Sequence, residues 1–502
     1  MHPHTRDSVE RKPVRGTQPS HDTTWEAVLR FRRGNRSTSR PVGTRLRLLG
    51  ERVPALGFFA LFAFLVMAAT PHWVPTAAAA SSALRSLDGV NFGTDEFPCP
   101  DELRPRTEFW LRIFTEFERS QKVLHDQRYP WIIYEVIDVS GMEPDSASAT
   151  ENERIAFYQD QLDHMGSLSP SDYSAAQHRI ATLLRDVPEE AKYTRAKERL
   201  RTQSGIRDNI RAGLVRSGRY MAYIHQTLAR YGVPAEVAFL PHVESSFNPR
   251  AQSKAGASGL WQFTKGTAKL FMKVEGDIDE RMDPYASSDA AARYLLNSYD
   301  KLGSWPLAVV SYNHGLAGVR RAMDALGTDD IARVLNEYDG PRFGFASQNF
   351  YCELLAAIEV GRNPQRYFGD IEIEPPALPV EFPLDHYVSF NALCMAFSMP
   401  RAEMSAWNPA LGRSHVEGER HVPKGYVLRL PAETEDPQAL YASIPSFELH
   451  AKAPRPRGHQ VVAGDTLAKI AQRYRVSLAD LRGMNGLEKS DRIYPGQVLA
   501  LP

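Results

Sequence analysis

Apolar positions recur at helical spacing over most of the chain. Phe109, Ile113, Phe114 and Phe117, with Trp110 beside them, lie on one face of a helix that starts near Arg104. Two more helical stretches are predicted at about 152–165 and 170–184, the second with Ser169 as N-cap and Pro170 in its first turn. A long amphipathic stretch from about 193 to 231 ends at Gly232, and Pro234 opens the helix that carries Glu244. Asp283-Pro284-Tyr285 starts another, whose Ala286, Ala290 and Ala291 suit close helix packing. The apolar stretch 305–314 ends in Tyr312-Asn313-His314 and stops at Gly315, and 343–358 gives one more helix. No strand-like alternation stands out from 104 to 365, so the chain reads as mainly α to that point.

The pattern changes near Tyr367. Residues 371–383, IEIEPPALPVEFP, are Pro-rich and extended and mark a linker, and KAPRPRG at 452–458 marks a second. The residues that follow read strand, helix, helix, strand. An internal repeat joins the two C-terminal parts. Residues 390–408 superpose on 467–485 at a shift of 77, which matches Leu393 with Ile470, Phe397 with Tyr474, Met404 with Leu481 and Asn408 with Asn485. Residues 425–431 match 496–502 at a shift of 71, and the difference falls in a loop. The expected divisions are a leader over 1–84, a helical N-terminal region over 85–216, a main helical domain over 217–366, and two small βααβ modules at 384–432 and 458–502.

Charge changes the picture at the N-terminus. Overall the 502 residues balance 60 Lys plus Arg against 60 Asp plus Glu, which argues against a nucleic-acid partner. Residues 1–52, however, hold twelve Lys or Arg and only five acids, Asp7, Glu10, Asp22, Glu26 and Glu51. PALGFFALFAFLVMAAT follows at 54–70, and no charged residue occurs from Val53 to Leu84. That apolar core is slightly shorter than the ~20 residues of a typical spanning helix. Basic flank first, it predicts export, with residues 1–52 inside and the folded part outside. The small residues at 76–83 suit cleavage near Ala80; uncleaved, the segment would anchor the chain in the inner membrane. Cys99, Cys352 and Cys394 are far apart and lack metal-ligand spacing. They predict no disulfide framework beyond one optional bridge, and no metal or cofactor is expected.

The candidate chemistry lies in LPHVESSFNPRAQSKAGASGLWQFTKGTAKLFM, residues 240–272. Glu244 ends an apolar run, and no other Asp or Glu occurs before Glu275. A single carboxyl among amides, hydroxyls and a Trp suits sugar cleavage that draws its second group from the substrate, since ordinary glycosidases need two carboxyls. Asp277, Asp279 and Asp283 are nevertheless near enough in sequence to supply a second, which leaves hydrolysis open.

Three motifs carry a resemblance to the SLT-type lytic transglycosylases: Glu244-Ser245-Ser246-Phe247-Asn248-Pro249, Gly259-Leu260-Trp261-Gln262-Phe263, and Ser311-Tyr312-Asn313. The resemblance covers about 217–366. It implies a goose-lysozyme-like α fold and cleavage of the β-1,4 bond between N-acetylmuramic acid and N-acetylglucosamine in peptidoglycan strands. It implies Glu244 as the acid/base, and Ser253, Gln262, Tyr312 and Asn313 as substrate-binding residues. Two departures stand out: Thr264-Lys265 where the family has Met-Pro, and Ser347-Gln348 where many relatives carry Glu-Thr. The last module resembles LysM domains through Gly464-Asp465-Thr466-Leu467, Ile470-Ala471, Tyr474, Asn485 and Pro495-Gly496-Gln497. That resemblance implies glycan binding near Gly464, Asp465, Thr466, Leu467, Asn485 and Ile493. The earlier copy lacks Gly-Asp-Thr and looks degenerate.

These resemblances make the chain an expected periplasmic lytic transglycosylase, acting as a monomer on peptidoglycan in a Gram-negative envelope and leaving 1,6-anhydromuramoyl ends. The alternatives are a lysozyme-like hydrolase (a muramidase or chitinase) and a non-catalytic wall-binding protein.

Overall fold

A computed structural model describes residues 87, 89–454, 457–487 and 492–501. The leader, with its apolar segment at 54–70, lies outside the described residues. Among the described residues no helix is long and apolar enough to cross a membrane.

The chain is mainly α, but the N-terminal region departs from the all-helical expectation for 85–216. After helix α1 (Arg104–Thr115) come strands β1 (Gln121–Asp126) and β2 (Ile133–Asp138), helices α2 (Pro144–Met165), α3 (Ala175–Leu183) and α4 (Lys192–Glu198), and strand β3 (Leu200–Ser204). The three strands form an antiparallel sheet in the order β2-β1-β3. Its alternation is hidden because both faces of β1 are covered. Leu124 packs with Tyr134, Tyr158 and Leu162. His125, on the opposite face, lies against the rings of Phe109 and Phe345. The single amphipathic stretch read at 193–231 is therefore α4, β3 and α5 (Arg207–Tyr231). The N-cap read at Ser169 falls instead at Ser174, whose hydroxyl takes the Gln177 N–H while the Gln177 side chain takes the Ser174 N–H.

The main helical domain continues from α5 through α6 (Leu240–Ser245), the short strands β4 (Val274–Glu275) and β5 (Ile278–Asp279), α7 (Pro284–Leu302), α8 (Trp305–His314), α9 (Leu316–Leu326), α10 (Ile331–Glu337) and α11 (Phe345–Arg362). Asp283 caps α7 by accepting the N–H groups of Tyr285 and Ala286, and Pro284 fills the first turn, where its missing N–H costs nothing. Helix α11 is buried without a break from Asn349 to Val360 and packs on α1, α6 and α8. It is the axis of the core.

Residues 371–379, read as a linker, have no helix or strand but lie strapped along α5. Glu374 N–H donates to Val215 O and Ala377 N–H to Arg219 O, both at 3.0 Å. The strap leads into β6 (Val380–Pro383), α12 (Phe390–Ala396), α13 (Arg401–Trp407), β7 (Val427–Leu430) and α14 (Pro437–Ala442). The last module is β8 (Arg457–Gln460), α15 (Leu467–Tyr474), α16 (Leu478–Met484) and β9 (Val498–Leu501). The repeat is structural as well as sequential. Asn408 donates to the Met404 and Arg429 carbonyls and accepts the Arg429 N–H. Asn485 does the same with Leu481 and Ala500. In each copy one amide locks the second helix to the closing strand.

Candidate active site

Glu244 is the fifth of six residues in α6. The helix is short because Ser246 and Phe247 both turn to positive φ, 50° and 54°. Their N–H groups fold back on the His242 and Pro241 carbonyls at 3.2 and 3.0 Å. Such backbone is strained for residues with a Cβ and persists only where neighbours hold it. Arg216 of α5 does so, with Nη2 donating to Ser246 O at 2.5 Å and Nε to Phe247 O at 3.2 Å. Gly213 lets α5 come this close: a Cβ there would lie 2.8 Å from Ser246 O.

The second motif is tied to the first. Ser245 Oγ donates to Leu260 O at 2.7 Å. Trp261 is fully buried, its Nε1 donates to Ser288 Oγ of α7 at 2.8 Å, and its carbonyl accepts the Tyr312 hydroxyl at 2.8 Å. The third motif therefore meets the second through a hydrogen bond, and Phe263 and Tyr294 pack edge-on to the Tyr312 ring. Gln262 sits at φ 49°, and its Nε2 donates to Gly259 O at 2.8 Å and Ala251 O at 3.2 Å. These two bonds fix the amide's orientation and leave Oε1 buried with no partner among the described residues. An orphaned acceptor calls for an explanation, and a substrate N–H or O–H is one.

Glu244 is partly exposed, and none of the hydrogen bonds described reaches its carboxyl. Burial pushes its pKa up to about 8, and the nearby Glu353 carboxylate adds to the effect. A pKa there favours the carboxylic acid at neutral pH. Tyr312 is raised well above 10 by burial and then by the charge of Glu244, so it remains a hydroxyl.

Glu353, on α11 and 2% exposed, is the site residue that sequence reading missed. It lies 109 positions after Glu244, inside the apolar run YCELLAAIEV that reads as core. Its signal, shared with Glu359, is an acid in a run that is otherwise apolar. Glu353→Gln is expected to move the alkaline limb of activity to lower pH, since a like charge is removed while burial, the larger cause, remains. Initial rates across pH 5–10 check this. The active form is the acid, so activity is present below the Glu244 pKa and lost as pH rises through it.

The other residues expected at the site fall into two groups. Ser253 closes the turn at 253–257, where its Oγ accepts the Ala257 N–H at 2.9 Å. Asn313 Oδ1 accepts from Ser347 Oγ at 3.0 Å, tying the end of α8 to α11, so Ser347 has a bonding role at the departure from the family pattern. Asp277, Asp279 and Asp283, the alternative second carboxyls, are all engaged elsewhere: with Ser414, with Arg281, and with the α7 cap and Arg429. In the last module Gly464, Asp465 and Thr466 form the strand-to-helix loop. Asp465 Oδ2 is 2.7 Å from His459 Nε2 and accepts the Val462 N–H, and Thr466 caps α15. Leu467 is core, Ile493 packs against that core, and the Asn485 amide is spent on β9. Among the described residues no cluster of His, Cys, Asp or Glu could hold a metal ion. The three cysteines are free.

Comparison with known proteins gives two family matches, the Transglycosylase SLT domain over residues 222–334 and the LysM domain over 459–502. The chain is 28% identical over 330 residues to membrane-bound lytic murein transglycosylase D of Escherichia coli, covering 63% of this chain and 70% of that one. It is 31% identical over 135 residues to membrane-bound lytic murein transglycosylase C of Haemophilus ducreyi, covering 24% of this chain and 37% of the relative. Among solved structures, an inactive mutant of the lytic transglycosylase Slt from Pseudomonas aeruginosa aligns over 43% of this chain and 33% of its own, with 20% identity and a TM-score of 0.23.

Proposed function

We propose that this chain, with its SLT and LysM domains, is a peptidoglycan lytic transglycosylase that cleaves the β-1,4 bond after N-acetylmuramic acid without consuming water. The observation that carries this reading is the carboxyl of Glu244, partly exposed at the end of α6 with its pKa pushed up to about 8 by burial and then by Glu353, which favours the acid at neutral pH. A protonated carboxyl in reach of solvent is a general acid. Glu244 donates its proton to the leaving glycosidic oxygen, and the 2-acetamido group of the muramic sugar stabilises the cationic C1. The resulting carboxylate takes the proton of the C6 hydroxyl as that oxygen attacks C1. One C–O bond breaks, one forms, Glu244 ends protonated, and the product carries a 1,6-anhydro ring.

Gln262 supports this scheme with its unpartnered Oε1, which suits a glycan N–H or O–H. Tyr312 places a ring beside Glu244, and its hydroxyl fixes the Trp261 carbonyl. Glu353 argues against the hydrolase alternative. A second hydrolytic carboxylate must reach a water or the sugar itself, and Glu353 is only 2% exposed. Export through the apolar segment at 54–70 would place the enzyme in the periplasm, released or held at the inner membrane. The LysM module would keep the catalytic domain at high local glycan concentration. Digestion of purified peptidoglycan followed by mass spectrometry of the fragments tests the reading. Anhydro-ended muropeptides are expected, and reducing ends would favour the hydrolase.

A further inference from the structure

The first LysM-like copy is built differently from the second in the place where a LysM domain is open. In the C-terminal copy the strand-to-helix loop at 462–466 stands in solvent, with Val462 57% exposed. The same stretch of the first copy, 385–389 at the shift of 77, is hydrogen-bonded by other parts of the chain at three successive residues. Val388 is fully buried and bonds in both directions with Val422, at 3.1 and 2.8 Å. Tyr387 bonds in both directions with His450, at 2.8 and 3.0 Å, and Ser389 Oγ donates to Glu448 at 2.9 Å. Val422 before β7 and Glu448 and His450 after it thus occupy the bonding groups of this loop.

What the first copy does grip is the catalytic domain. Asp279 N–H donates to Ala410 O at 2.9 Å and Gly412 N–H to Asp277 O at 2.7 Å. One carboxylate oxygen of Asp277 accepts both the N–H and the hydroxyl of Ser414, at 2.7 and 2.6 Å. Ile278 is part of the module's own apolar core. Arg429 of β7, 7% exposed at its side chain, pairs with the α7 cap Asp283 at 3.3 Å.

The gripped hairpin leads to the site. Asp279, bonded to the module through its N–H, holds Arg281 through its carboxylate at 2.9 and 2.7 Å. Arg281 Nη1 in turn donates to Gly256 O at 2.7 Å and Phe263 O at 3.2 Å, bracketing the loop that carries Trp261 and Gln262. Each link is a bond of ordinary length, so an unbroken series of hydrogen bonds and two residues of backbone joins the module's grip on Asp277 to the loop.

We infer that the module at 380–450 is a wall of the catalytic domain and not a second glycan-binding unit, and that Asp277 is a positioning residue that acts on the substrate loop through Asp279 and Arg281. The kinetic part of this inference rests on the transglycosylase reading; the structural part does not. In the full chain, Asp277→Ala is expected to speed amide hydrogen exchange at 256–263 by about tenfold, and to lower kcat/KM on soluble uncrosslinked glycan strands by a similar factor. Asp277→Asn, whose single amide oxygen can still accept both Ser414 donors, is expected to restore both. If Asp277→Ala fails to fold, Ser414→Ala takes its place with a smaller effect of the same sign. Saturating N-acetylglucosamine oligomers are expected to slow exchange at 462–466 and leave 385–389 unchanged. Unchanged exchange at 256–263 in both loss variants, or glycan protection at 385–389, would overturn the inference. A parent chain that releases no anhydro product would instead sink the transglycosylase reading and leave the exchange result standing.

Discussion

Glu244→Gln is expected to lower turnover of peptidoglycan by roughly 10²–10⁴-fold, the usual contribution of a positioned general acid, while sacculus binding is retained. The amide keeps the shape of the side chain but has no proton to give and no lone pair basic enough to accept one. Because one group serves both half-reactions in this scheme, no other residue is left to carry either. Stability should move the other way. A carboxyl whose folded pKa is raised to about 8 favours the folded state fully below its unfolded value, and that contribution is lost as pH rises toward 8. The amide carries no such cost, so at pH 7 the variant should unfold a few degrees above the parent, and the gap should close near pH 4. Thermal unfolding at the two pH values, run beside the rate measurement, checks the pair of signs. Lower activity with lower stability would point to damage and not to lost chemistry.

Among the described glycines, Gly259→Ala is expected to be the most damaging added methyl. Gly259 has φ +82°, and a Cβ there would lie 1.7 Å from the Arg281 carbonyl oxygen, a backbone atom. Neither partner can swing away. Arg281 is pinned by Asp279, Gly256 and Phe263, and the Gly259 N–H is bonded to Ala251 O at 2.8 Å. The left-handed backbone alone costs an alanine about 1–2 kcal/mol, and overpacking adds roughly 1–3 kcal/mol more. The expected result is a loss of about 2–5 kcal/mol in chemical denaturation. Activity should fall at least 100-fold even where the chain is still folded, because a 1 Å displacement of a substrate-holding loop is enough to cost that much. Gly303→Ala, at a helix end with open space around it, is the control: it carries the backbone strain without the clash.

The sequence disclosed the parts of this site that depend on local pattern. Glu244 stood out as the only acid in a long basic and polar stretch, Asp283-Pro284 marked the start of α7, and Gly315 marked the end of α8. The pairing of Asn408 with Asn485 was visible as a repeat because each amide does the same backbone work 77 positions apart. What stayed hidden depends on contacts between distant residues. The β2-β1-β3 sheet shows no alternation because Leu124 and His125 are buried on opposite faces by different helices. Glu353 reads, like Glu359, as an acid within a core helix until α11 is laid against α6. The Pro-rich stretch at 371–379 has the composition of a loose linker. Only tertiary packing shows it bonded to α5, with Gly218 making room for the Glu374 carbonyl. Asp277, Asp279 and Asp283 looked like spare carboxyls because nothing local reveals that Ser414, Arg281 and Arg429 claim them.

The central claim is that the C6 hydroxyl of the muramic sugar, and not water, takes the place of the leaving group under the control of Glu244. Digestion of purified peptidoglycan in heavy-oxygen water tests it most directly. The expected result is that fragments released by the parent chain end in 1,6-anhydromuramic acid and carry no heavy oxygen, and that Glu244→Gln releases almost none. Heavy oxygen at C1 of newly formed reducing ends would contradict it.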